Sequence, residues 1–133
     1  MRIALLLLVL FSQNVLACEC VLPSPKIEAK RAEIVFKGVI TDVTKSHITF
    51  AVRRVFKGRI PARFTMSNLI APGDCTDGFQ RQLVKPGNDL LVYAWKRSYY
   101  AEGFLTSTCS RTRLSENALL DLKQLGVGRA PDR

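Results

Sequence analysis

The chain has one histidine in 133 residues and none of the signatures that position a catalytic nucleophile, a zinc ion or a phosphate. No H-E-x-x-H, G-x-S-x-G, P-loop or G-x-G-x-x-G occurs, so zinc peptidases, serine hydrolases and nucleotide-binding enzymes lack their core residues. The histidine, His47, stands between Ser46 and Ile48 and reads as a solvated strand-edge residue. Acidic residues are few, 11 Asp+Glu against 20 Lys+Arg, which leaves a formal charge of +9. Long apolar runs are scarcer still. The run Ile3 to Phe11 falls short of the roughly 20 residues a membrane-spanning helix needs, and no later segment approaches that length. No transmembrane segment, cofactor or enzymatic activity is therefore expected. An apolar share of 47% also excludes disordered and collagen-like classes. No N-x-S/T sequon is present, which suits a bacterial source.

What is present begins with an export signal. Arg2 supplies the charged start, Ile3 to Phe11 the apolar run, and Val15-Leu16-Ala17 the small-residue cleavage site, so residues 1–17 read as a signal peptide. Residues 18–133 then form one domain, secreted or periplasmic. Cleavage after Ala17 makes Cys18 the first residue of the mature chain. The alternative is a lipoprotein acylated on that cysteine, but the usual pattern places Leu three before it and a small residue two before, where this chain has Val15 and Leu16.

An exported chain meets an oxidising compartment, and Cys18, Cys20, Cys75 and Cys109 can pair completely. Two disulfides are expected. An all-cysteine zinc site usually shows two C-x2-4-C knuckles, which are absent. A Cys18–Cys20 bond would be strained, so each reaches a distant partner: Cys18 with Cys75 and Cys20 with Cys109, or the crossed pairing. Such bridges close loops of roughly 60 to 90 residues, each worth up to about 4 kcal/mol on the chain-entropy model.

Along the chain, Pro23-Ser24-Pro25 makes a stiff extended arm. Lys26 to Ala32 predicts two helical turns. Glu33 to Val43 predicts a strand with Ile34, Phe36, Gly38 and Ile40 on one face and a bend at Gly38. His47 to Phe56 alternates with Ile48, Phe50 and Val52 inward until Arg53-Arg54 shifts the phase. Ala62 to Ser67 is a shorter strand, and turns follow at Pro72-Gly73-Asp74 and Pro86-Gly87-Asn88. Asp89 to Trp95 is apolar on both faces and predicts a central, doubly covered strand. Ala101 to Thr108 returns beside it and delivers Cys109. Ser115 is expected to cap a closing helix, with Leu114 stapled to Leu119 and an apolar stripe of Ala118, Leu119, Leu122 and Leu125 that Gly126 ends. The tail past Gly128 is expected to be loose. Five short bent strands and a terminal helix predict a mainly β fold, a small five-stranded OB-type barrel with a C-terminal helix. A β-sandwich, with its usual seven or so strands, fits less well.

Two functional readings arise from the residues themselves. Arg53-Arg54, Lys57-Gly58-Arg59, Lys96-Arg97 and Arg111-Thr112-Arg113 can form a basic face for a polyanion, with Tyr99-Tyr100 close by. Export makes nucleic acid an unsuitable target, and a solvated cationic surface is the simpler account. An amino-terminal Cys18 can act as a nucleophile with its own α-amine as base, but that needs a free thiol, which complete pairing removes.

The third reading comes from a resemblance. Cys18-Glu19-Cys20-Val21-Leu22-Pro23-Ser24-Pro25 resembles the C-x-C-x-x-P-x-P opening of the inhibitory domain of tissue inhibitors of metalloproteinases (TIMPs). The likeness continues through AEIVFKGVI, FAVRRVFKG, the Cys75 loop, DLLVYAW and TSTCSRTRL, and is similar to the short TIMP-like proteins of bacteria. It implies a netrin-like OB barrel with Cys18 bonded to Cys75 and Cys20 to Cys109. It also implies a metallopeptidase inhibitor that docks through Cys18, Glu19, Cys20 and Val21, with the α-amine and carbonyl of Cys18 chelating the zinc of the target peptidase. The amine must be neutral to ligate, so a reference pKa of about 7.7 to 8.0 implies inhibition that weakens as pH falls. Where the family commonly places a small Thr or Ser beside the zinc, this chain has Glu19. An unpaired carboxylate is costly in an apolar pocket, so the implied target offers a cation there.

Overall fold

A computed structural model describes residues 18–96 and 103–133. The expected signal peptide, Arg97, Tyr99-Tyr100 and the first two residues of the strand expected from Ala101 lie outside the described residues. The elements run α1 (Pro25–Arg31), β1 (Ile34–Val43), β2 (His47–Lys57), β3 (Arg63–Ser67), β4 (Asp89–Lys96), β5 (Phe104–Leu105), β6 (Arg113–Leu114) and α2 (Leu119–Leu125).

The pairings between these strands are antiparallel, in the order β3-β2-β1-β4-β5, and β6 joins β4 at Leu90 and Leu91. The sheet curls until its edges approach, and the rings of Phe64 on β3 and Phe104 on β5 stand 5.7 Å apart across the seam. The result is a nearly closed small OB-type barrel. Curling needs breaks in the ladder, and the β1–β2 pairing supplies them. Lys37 pairs with Arg54 and Gly38 with Val52, so Arg53 is left over as a bulge, which is the phase shift legible in the sequence. A Cβ on Gly38 would come within 3.0 Å of the Ala51 carbonyl oxygen, so the bend there requires glycine.

Two apolar layers follow from the two faces of β1 and β4. Inside the barrel, Ile34, Phe36 and Ile40 meet Ile48, Phe50, Met66, Leu90 and Val92. Phe36 packs edge-on against Phe50, with ring centroids 5.2 Å apart. On the outer face, Val35, Leu91 and Tyr93 pack with Ala32 and Ala118 under the two helices. β4 is thus covered on both sides, as its sequence predicts.

Three expectations are corrected. β5 is only two residues long, because beyond Leu105 the chain turns toward Cys109. Ser115 caps no helix. It opens a 3-10 turn, its hydroxyl donates to Asp89 Oδ1 at 2.8 Å, and α2 starts at Leu119, which is 73% exposed and staples to nothing. The tail is tethered rather than loose, since Arg129 and Val55 exchange both backbone hydrogen bonds and the Asp132 amide donates to Ile60. Gly126, at φ +83, does end α2.

Candidate functional site

Local sequence fixes the path of residues 18–24. Pro23 and Pro25 restrict φ, and Ser24 adopts an extended conformation (φ −60°, ψ 156°) that N-caps α1, with Pro25 in its first turn. Tertiary links then hold this arm at three points. Cys18 is bonded to Cys75 and Cys20 to Cys109, with Cα separations of 6.2 and 5.1 Å. At the third, Arg111 Nη1 donates to the Pro23 carbonyl at 3.1 Å.

The two disulfide anchors are themselves tied together. The Thr76 amide donates to Thr108 Oγ1 and the Thr108 amide donates to the Thr76 carbonyl, both at 3.0 Å. Cys75 is the only non-glycine among the described residues with positive φ, at 56°, a sparsely populated conformation that the surrounding bonds hold in place. The sulfurs of Cys20, Cys75 and Cys109 lie within 4.8 Å of one another, but every cysteine is oxidised, so no thiolate is present to hold a metal.

Arg111 reaches the arm from a buried network that the sequence reading missed. Its Nε and Nη2 donate to Asp121 Oδ1 and Oδ2 at 2.6 and 2.8 Å, and the Tyr93 hydroxyl donates to the same Oδ1 at 3.0 Å. Asp121 is 1% exposed. Burial by itself would raise its pKa, but the bonds from Arg111 and Tyr93 outweigh burial and hold it below the usual aspartate value. Burial, and then the charge of Asp121, push the Tyr93 phenol upward. One signal was legible: at helical spacing Asp121 falls among Ala118, Leu122 and Leu125, and a carboxylate on an apolar stripe implies a buried partner.

The four residues expected to dock are brought together on the arm. Cys18, Glu19 and Val21 are exposed, Val21 at 91%, and Cys20 is half-buried. Of the cations expected on a basic face, Lys57 and Arg111 are engaged by groups of the fold, whereas Arg53, Arg54, Arg59 and Lys96 are exposed. Lys57 Nζ donates to the carbonyls of Ala29, Lys30 and Ala32 at the end of α1. Arg59 lies 3.7 Å from Asp132, Lys96 sits over the Phe104 ring, and Arg111 is bound to Asp121. Arg53 and Arg54 remain exposed. His47 is an exposed residue at the start of β2, with Nδ1 2.8 Å from Ser46 Oγ. No helix among the described residues is long and apolar enough to cross a membrane. Comparison of the sequence with protein-family models and with curated proteins gives no match.

Proposed function

We propose that the protein is an exported inhibitor of zinc metalloendopeptidases, of the type the TIMP resemblance implies, that acts through residues 18–21. The observation that carries this reading is the combination of exposure and constraint in the arm. Glu19 and Val21 stand out into solvent while both flanking cysteines are bonded to the barrel and Pro23 is held by Arg111. A segment fixed before binding loses little conformational freedom when it docks, which favours insertion into a cleft. After signal cleavage the α-amine and carbonyl of Cys18 present a chelating pair to the zinc of the target peptidase. Such an inhibitor is not an enzyme, and its site of action is secreted or periplasmic.

Two measurements test this. The intact mass of the exported protein is expected to equal Cys18 to Arg133 less four hydrogens, with alkylation only after reduction; acyl mass on Cys18 would remove the amine and sink the mechanism. Inhibition, screened against zinc endopeptidases, is expected to vanish when one residue is added ahead of Cys18 and to survive moderate salt. A netrin-like module that binds polyanions without inhibiting anything would ignore the extension and lose binding steeply with salt. The engagement of Lys57 and Arg111 by groups of the fold leaves that reading fewer free cations.

A further inference from the structure

Beneath the arm lies a cavity of about 350 Å³, at the lower end of the size of small-ligand sites. Val21 and Pro23 of the arm, Glu28 and Arg31 of α1, Trp95 of β4 and Cys109 contribute to its lining. Glu28 is the anomaly. It is 4% exposed and lines the cavity, and no hydrogen bond or ion pair to its carboxylate occurs among the described residues. The one sealed side-chain polar atom without a partner among those residues is Asn68 Oδ1, so the Glu28 carboxylate keeps access to solvent. Buried carboxylates are ordinarily paired, and an unpaired one needs an explanation. Burial raises the Glu28 pKa, while the charges of Arg31 and Arg111 act to lower it.

Neither arginine supplies the missing partner. Arg111 spends its guanidinium on Asp121 and on the Pro23 carbonyl. Arg31 is an exposed residue in the last turn of α1 and forms no ion pair with Glu28. Tyr93 and Asp121, the other titratable groups near this side of the molecule, satisfy one another and Arg111. The cavity therefore combines a carboxylate on a 4%-exposed residue that has no protein partner, an indole, apolar arm residues and, at its edge, the exposed Arg31. A carboxylate beside an aromatic wall in a partly dry pocket suits a planar or alkyl cation, which gains both a charge-assisted hydrogen bond and attraction to the ring.

We infer that this cavity binds a single organic cation, a guanidinium or alkylammonium group, against Glu28 and Trp95. The group can belong to a small molecule or to an Arg or Lys side chain of a protein that docks on the arm. The inference does not depend on inhibition and is tested without a peptidase.

Trp95 is the only tryptophan in the chain and lines the cavity, so its fluorescence reports on binding there. The exported, disulfide-bonded protein is titrated at constant ionic strength with ethylguanidinium, neutral ethylurea and the peptide acetyl-Gly-Arg-Gly-amide. Ethylguanidinium is expected to give a saturable change, at least tenfold weaker with ethylurea and lost in Glu28→Gln. That variant removes a buried charge without changing shape, so its melting temperature is expected to equal or exceed that of the parent. Arg31→Ala, on an exposed position, is expected to tighten ethylguanidinium severalfold by removing a competing cation, and serves if Glu28→Gln folds poorly. Saturation by the peptide as well assigns the site to a protein-borne side chain; saturation by ethylguanidinium alone assigns it to a free cation. No saturable change, an equal response to ethylurea, binding retained in a folded Glu28→Gln, or binding unchanged or weakened in Arg31→Ala overturns the inference.

Discussion

Arg111 and Asp121, ten residues apart in sequence, form a bidentate ion pair with bonds of 2.6 and 2.8 Å in which the carboxylate is 1% exposed. The same guanidinium holds the Pro23 carbonyl. One side chain therefore couples the C-terminal helix to the amino-terminal arm, reaching Pro23 from 88 residues further along the chain. The pair contributes less through net stabilisation than through the penalty for breaking it, because removing one partner strands the other charge in the interior.

Asp121→Ala is accordingly expected to destabilise the fold by about 3 to 5 kcal/mol, and Tyr93→Phe by about 1 kcal/mol, in urea unfolding. An Asp121→Ala cost below that of Tyr93→Phe would show that the network is not the unit described.

The same carboxyl sets an acid limit. Its folded pKa lies below the unfolded value near 3.9. The stability it contributes is therefore complete above that value and is lost as pH falls through the folded pKa. Glu28 acts with the opposite sign: its folded pKa is raised, so its contribution is present at low pH and lost as pH rises through the folded value. Glu28→Gln is expected to gain stability at pH 7 relative to pH 4, whereas Asp121→Asn is expected to flatten the fall in stability below about pH 4. Melting temperatures across pH 2.5 to 7.5 check both.

The disulfides span 57 and 89 residues, and the chain-entropy model assigns each roughly 4 kcal/mol. Replacing Cys20 and Cys109 together with serine is expected to cost about 2 to 5 kcal/mol in chemical unfolding. It is also expected to make residues 19–22 the first point of cleavage in limited proteolysis, with the Cys18–Cys75 bond still intact. Equal protease resistance would show that the arm does not need its second anchor.

Glu19 is exposed and, on the proposed mode of docking, enters the pocket beside the zinc of the target peptidase. Glu19→Thr is expected to improve inhibition of peptidases with apolar pockets at least tenfold, by sparing an unpaired carboxylate from desolvation. It is expected to weaken inhibition of those with a cation there. Inhibition constants for one peptidase of each kind decide this, and a change in the same direction for both would count against the docking mode.

Deleting residues 129–133 removes the paired backbone bonds between Arg129 and Val55 and the Asp132 bond to Ile60. A loss of about 1 to 3 kcal/mol is expected, with early exchange of the Val55 amide in hydrogen-exchange measurements. No change would restore the loose tail that composition alone suggests.

Sequence by itself determined β1, β2 and β4 and their inward faces, because alternation in Ile48, Phe50 and Val52, the slip at Arg53-Arg54 and the two-faced apolar run of Asp89 to Trp95 are local patterns. It also determined that four cysteines would form two bridges, although not which sulfurs would meet. The residues alone left two pairings open, and the one found, which the family resemblance also implied, depends on the Cys75 and Cys109 loops being hydrogen-bonded to each other. The partners of single charged groups were decided only by tertiary structure. Lys57, Arg59 and Arg111 look alike as cations in a sequence, but folding directs Lys57 to helix-end carbonyls and Arg111 to Asp121 and leaves Arg59 exposed. The same holds for Glu28, which has the pattern of an ordinary surface residue of α1 but is 4% exposed in the fold and lines a cavity together with Val21 and Pro23 of the arm. Periodicity records which side of an element is apolar, whereas pairing and cavities depend on distances between segments far apart in the chain.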